Sequence, residues 1–192
     1  MNGKFSAQVD RFIVLTGGPG SGKTTLIDAL QRAGHARSWE AGRGIIQDQV
    51  AIGGHALPWR DPIAFAELML SWEMRTYRQA REHPGPVFFD RGLPDIVGYL
   101  RMLGLPVPPH LVKAVDLCRY HHRVFIAPPW PEIFTQDQER KQTLDEAERT
   151  YDAMVTAYAD HGYQLVELPR VAVEQRVRFV LDRMAPRTAA TR

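Results

Sequence analysis

The apolar residues of this chain fall into short uninterrupted runs, separated by longer stretches in which they recur at roughly every third or fourth position. Uninterrupted runs predict strands buried on both faces, and the wider spacing predicts amphipathic helices between them. Phe12–Leu15 is the first such strand, followed by a helix over about Lys23–Arg32 with Gly34 as its stop. Ala36–Trp39 predicts a weak second strand, and Gly42 to about Ile52 a helix ended by Gly53-Gly54. Asp61-Pro62 opens a long helix to about Glu82, because aspartate caps and proline suits the first turn. His83-Pro84-Gly85-Pro86 breaks it before a third strand, Val87–Phe89. Helices follow at Pro94–Leu103 and Pro109–Arg119, then a strand at Val124–Ala127 stopped by Pro128-Pro129. A charged stretch from Asp137 to Arg149 merges into a helix ending near Asp160, and Gln164–Leu168 and Val171–Met184 read as the last strand and helix.

Strands alternating with helical crossovers predict an α/β fold, a doubly wound parallel sheet of five strands that binds ligands at its carboxyl rim. Residues 1–186 are expected to form one domain, with a lid at about 130–150, and residues 187–192 a polar tail. The balance of 44% hydrophobic and 24% charged residues in a chain of 192 is that of a globular protein. A net charge of +2 is too small to point to nucleic acid or to a membrane surface. The basic residues are nearly all arginine, which suits bidentate phosphate contacts. One cysteine, Cys118, excludes an internal disulfide and fits a reducing compartment. No signal-peptide pattern and no apolar run near the roughly 20 residues of a membrane span occur, so the expected location is cytoplasmic.

The turn after the first strand carries the chemistry. Gly17-Gly18-Pro19-Gly20-Ser21-Gly22-Lys23-Thr24 matches G-x-x-x-x-G-K-[ST] at every fixed position, after a strand and at the opening of a helix. Glycines let the backbone curl so that successive N–H groups point at phosphate oxygens, and the helix adds its positive end. Lys23 can then reach the β- and γ-phosphates of ATP, Thr24 can offer its hydroxyl to Mg²⁺, and Thr25 follows at the same helix end.

Other charged residues fall on the same rim. Asp90 ends the apolar run Val87-Phe88-Phe89, where an aspartate can hold the magnesium or act as a general base, and Arg91 can stabilise charge on the transferred phosphoryl group. A helix cap and a surface ion pair are the plainer alternative for this pair. Glu40 follows the second strand, either as a base or as an ordinary exposed carboxylate, and Arg43 sits among glycines where it could grip an acceptor. Arg140, with Lys141 beside it, lies in a charged segment that reads either as a mobile lid or as a solvated helix face. Trp130 could stack on a ligand ring or pack at the lid hinge. His121-His122 has no partner at metal-ligand spacing. Trp59, Trp72, Met69 and Met74 belong to the core or to an interface such as that of a homodimer.

The segments GGPGSGKTT, WEAGRGIIQDQ, VFFDRGLPDIVGYL, VFIAPPWPEIF with QDQERKQ, and GYQLVELP together resemble the small P-loop ATPases related to the ribosylnicotinamide-kinase domain of NadR. More broadly they are similar to nucleoside and nucleoside-monophosphate kinases. The resemblance covers roughly Phe12 to Met184. It implies a three-layer P-loop NTPase fold with strand order 2-3-1-4-5 and a helical lid. It also implies a base at Glu40, an acid-arginine pair at Asp90 and Arg91, and a lid arginine at Arg140. Two departures stand out: a single Arg-Lys pair in the lid, and no base-discriminating motif after Leu168.

The expected function is phosphoryl transfer from MgATP to a small hydroxyl- or phosphate-bearing acceptor that the sequence does not name. Lys23 and Thr24 would hold the donor, Glu40 or Asp90 would orient the acceptor, Arg43 would grip it, and Arg91 and Arg140 would neutralise developing charge. The alternative is a nucleotide-dependent switch acting on a partner through Leu57-Pro58-Trp59 or the Pro106–Pro109 turn. A ring-forming mechanical ATPase fits least. The chain is expected to be too short for an extra helical domain, and its third strand ends in Asp-Arg rather than paired acids.

Overall fold

The computed structural model describes residues 9–134 and 143–184. Its sheet has five parallel strands in the order β2-β3-β1-β4-β5. These are β1 (Phe12–Gly17), β2 (Ala36–Arg37), β3 (Val87–Asp90), β4 (Arg123–Ala127) and β5 (Gln164–Glu167). The helices are α1 (Lys23–Arg32), α2 (Ala41–Ala51), α3 (Pro62–Ala80), α4 (Leu93–Met102), α5 (Pro109–Leu117), α6 (Leu144–Asp160) and α7 (Val173–Met184), with a short 3₁₀ turn at Pro131–Ile133.

Alternation along each central strand feeds two cores. Phe12, Val14, Val87, Phe89, Val124 and Ile126 point into one, closed by residues of α3, α4, α5 and α6. Ile13, Leu15, Phe88, Phe125 and Ala127 point into the other, closed by α1 and α7. The sheet is therefore the middle of three layers, and β1 is fully buried along its whole length. That burial accounts for its unbroken apolar run.

Local signals set the helix ends. The Asp61 carboxylate accepts the Ala64 N–H at 2.9 Å, with Pro62 in the first turn. Thr143 and Glu146 form a reciprocal capping box at the start of α6. Among the described residues no helix is long and apolar enough to cross a membrane. A lid at 130–150 would include residues 135–142, so Arg140 and Lys141 lie outside the described residues, as does the tail 187–192.

Candidate active site

The carboxyl ends of β1, β3 and β4 bring the glycine loop, the Asp90-Arg91 pair and the Trp130 turn to one rim. Gly17 has φ 123°, and a side chain there would strike the Ala127 backbone at the end of β4. A Cβ on Gly18 would strike the Ala147 backbone in α6. The loop is thus wedged between β4 and α6, and glycine is required at both positions. Lys23 folds back along it and donates to Gly17 O (3.0 Å), Gly18 O (2.5 Å) and Ser21 Oγ (3.2 Å), while the Ser21 hydroxyl donates to Gly18 O (2.8 Å). Thr24 and Thr25 face solvent in the first turn of α1.

Over this loop lies a cavity of about 520 Å³, lined by residues 19–25 and by Arg43, Trp130, Phe134 and Arg176. Arg176 comes from α7 and is only 3% exposed. Its Nη1 and Nη2 donate to Gly22 O (3.3 Å) and Ser21 O (3.4 Å), and its guanidinium lies 5.7 Å from the Trp130 ring centroid. Burial lowers its pKa. Trp130 is therefore part of the cavity wall, and residues 171–173, just after β5, line the same wall.

Arg91 is the node beneath the loop. Its Nη1 donates to Gly17 O (3.0 Å) and Asp95 Oδ1 (3.2 Å), and its Nε to Glu40 Oε1 (3.2 Å). It is the one non-glycine residue among those described with a left-handed backbone, φ 71°. That conformation costs roughly 1–2 kcal/mol, so the three-way contact outweighs local strain. Burial works against its charge, but Glu40, Asp95 and Asp90 outweigh it and raise its pKa. Asp95 is in turn held by the Thr16 hydroxyl (2.5 Å), the Tyr158 hydroxyl (2.5 Å) and the Gly92 N–H (2.9 Å).

Asp90 is 2% exposed, and its Oδ1 has no hydrogen-bond partner among the described residues. Burial pushes its pKa up to about 6; Glu40 adds to the rise, and Lys23 and Arg91 oppose it. An unsatisfied buried carboxylate oxygen beside the glycine loop is the chemistry a magnesium ion would complete, with the exposed Thr24 hydroxyl as the second oxygen. No cluster of three or more acidic, histidine or cysteine side chains able to hold a metal occurs among the described residues.

A second cavity, of about 880 Å³, opens between α2, α3 and α4. Glu40, Arg43, Arg91 and Asp95 line it, with Phe65 and Met69 among its apolar walls. Pro19 and Arg43 line both cavities. Pro58 and Trp59 form part of its wall, whereas Trp72 and Met74 pack against core residues. Asp90 lines neither cavity, which separates it from Glu40, the acid at the N-terminus of α2.

Four residues escaped the sequence reading: Glu73, Asp95, Tyr158 and Arg176. Three of them, the charged ones, had a faint signal. Glu73 occupies the α3 stripe of Phe65, Ala66, Leu70, Tyr77 and Ala80, where an apolar residue is the rule. Asp95 is the one acid in the otherwise apolar start of α4, and Arg176 shares the inward face of α7 with Val180. A charged residue on a buried stripe asks for a partner or a ligand.

A family model described as AAA domain matches residues 12–176. No curated protein matches the chain. Among solved structures, the fold is similar to that of NadR in complex with NR, with TM-score 0.68, 18% identity, and coverage of 91% of this chain and 50% of that one. It is also similar to deoxyadenosine kinase from M. mycoides with dCMP and dCDP bound (TM-score 0.63, 13% identity, 90% of this chain and 98% of that one). Thymidylate kinase from Ehrlichia chaffeensis gives TM-score 0.58, 14% identity, and coverage of 92% of this chain and 99% of that one. The chain spans about half the length of NadR, and at these identities the likeness is one of fold.

Proposed function

The chain belongs to the AAA domain family, whose model spans residues 12–176, and from that premise we propose a phosphotransferase that moves the γ-phosphoryl group of MgATP to a small acceptor of the nucleoside or nucleotide kind. The observation that carries this reading is the pair of cavities with Pro19 and Arg43 as common walls, one over the glycine loop and one bordered by Glu40 and Arg91. Nucleotide hydrolysis alone needs only the first. The solved structures of like fold include a deoxyadenosine kinase and a thymidylate kinase, enzymes whose names each state a nucleoside or nucleotide acceptor.

In this reading the loop N–H groups and Lys23 bind the donor phosphates. Thr24 and Asp90 would hold magnesium, which when bound supplies positive charge at the β- and γ-phosphates. Glu40 orients the acceptor hydroxyl and takes its proton. Arg91 joins the two halves, because one guanidinium contacts both Gly17 O of the loop and the Glu40 carboxylate. Arg43 stands at the shared wall, placed to meet the phosphoryl group in transit, and Arg140 would add a further cation from the lid. Catalysis is then mostly positioning and charge compensation. The reaction so described needs neither nucleic acid nor membrane and can run in a monomer or a homodimer. The Pro58-Trp59 segment serves here as acceptor-pocket wall rather than as a partner surface.

The test is transfer of labelled γ-phosphate to a panel of nucleosides and nucleotides. Lys23→Ala is expected to reduce transfer by at least about a hundredfold, since one preorganised charge at the phosphates is worth that much. Nucleotide binding with no transfer to any acceptor would overturn the reading.

A further inference from the structure

Glu73 has no structural task that its surroundings explain. It is the one charged residue on the buried stripe of α3, is 3% exposed, and lines the large cavity. Its Oε2 is buried without a hydrogen-bond partner among the described residues. The buried Tyr99 hydroxyl, which lines the same cavity from α4, has none either. Buried polar groups are ordinarily satisfied within the protein, so two exceptions on one cavity call for a ligand.

The chemistry of that ligand follows from the neighbours. The charged groups acting on Glu73 are Asp95, Asp90, Glu40 and Arg91, and Arg91 is already engaged by Glu40, Asp95 and Gly17 O. Burial first, and then the three carboxylates, hold the Glu73 pKa well above the usual range, which favours the protonated carboxyl. A neutral carboxyl and a phenol each both donate and accept a hydrogen bond, and a hydroxyl group does the same. A phosphate monoester fits badly: among the described residues the cavity carries the carboxyls of Glu40, Glu73, Asp95 and Glu146 against the guanidiniums of Arg43 and Arg91.

We propose that Glu73, together with Tyr99, determines acceptor specificity by hydrogen-bonding free hydroxyls of an unphosphorylated, sugar-bearing acceptor, and that phosphate monoesters are rejected. The identity of the pocket as the acceptor site rests on the phosphotransferase reading. A site built to pair with a substrate hydroxyl discriminates strongly against analogues lacking it, because its own buried groups are then left unpaired.

Calorimetric titration of the full chain, with AMP-PNP present, tests this. The probes are the common ribonucleosides, their 2′-, 3′- and 5′-deoxy analogues, and their 5′-monophosphates. At least one ribonucleoside is expected to bind about tenfold or more tighter than one of its deoxy analogues and than its monophosphate. Glu73→Leu should bring the ribonucleoside-to-deoxy ratio close to one without changing AMP-PNP affinity, and Glu73→Gln, which still donates and accepts, should keep most of it. A thermal melt confirms that both variants fold. Failure of every ribonucleoside to bind, tighter binding of the monophosphates, or an unchanged ratio in Glu73→Leu would each overturn the proposal. Phosphoryl transfer to the same probes reports separately on the proposed function: selective binding without transfer sinks that function and supports the Glu73 assignment.

Discussion

Replacing Asp90 by asparagine is expected to make the nucleotide-free protein more stable, although it removes a residue proposed to serve the donor. Asp90 is 2% exposed, its Oδ1 has no partner among the described residues, and its pKa is pushed from the usual 3.8 to about 6. Ionising such a group in the folded state costs about 3 kcal/mol relative to the unfolded chain. Because the folded pKa lies above the unfolded one, this cost is absent below about pH 4, grows as pH rises through the folded pKa, and is complete above it. Asparagine keeps the shape without the charge and forfeits no hydrogen bond at Oδ1. At pH 7.5 the variant should therefore gain up to about 3 kcal/mol, a rise in Tm of roughly 6–12 °C for a chain of this size. At pH 4 the gain should nearly vanish. Urea unfolding at the two pH values, without nucleotide or magnesium, measures both. A variant no more stable than wild type at pH 7.5, or one whose advantage is larger at pH 4, would refute the assignment of a strained, unsatisfied carboxylate. Adding MgATP should then stabilise the wild type more than the variant, since the ligand that the carboxylate awaits binds only the former well.

Arg91→Ala removes the guanidinium that Glu40, Asp95 and Gly17 O share, and leaving such buried carboxylates uncompensated costs about 3–5 kcal/mol. Arg91→Gly should lose about 1 kcal/mol less, the reverse of the usual order, because φ 71° suits glycine; parallel urea titrations of the two variants decide it. Gly18→Ala puts a methyl group into the Ala147 backbone. The loop and α6 must then separate, and ATP affinity measured by fluorescence or calorimetry should fall at least about tenfold while the far-ultraviolet spectrum stays unchanged.

The glycine loop, the alternation of strands and helices, and the acids at strand ends were all legible because each is a local signal. The loop's spacing is set by how a backbone curls round a phosphate, and β1 reads as an unbroken apolar run because both its faces are covered. Glu40 was placed at the end of β2 on a strand of only two residues, Ala36–Arg37, and the position survives because Ser38 N donates to Phe88 O just beyond the pairing. The choice between Glu40 and Asp90 as base was open in the sequence, where both are single acids after strands. In the structure Asp90 is buried and lines neither cavity, whereas Glu40 lines the large one, and the proposal of Glu40 as base rests on that difference.

By itself, then, the sequence determined the glycine loop with its lysine and threonine, and the layered fold that presents them. These depend on backbone geometry and on periodicity, which neighbouring residues encode. Only the tertiary structure decided what lines the second, larger cavity. It brought Glu73 from α3, Asp95 and Tyr99 from α4 and Tyr158 from α6 to the cavity or its supporting network, and hung that network on Arg91. Whether a lone acid on an apolar stripe is satisfied, strained or waiting for a ligand depends on what faces it across the packed layers. No window of neighbouring residues carries that information.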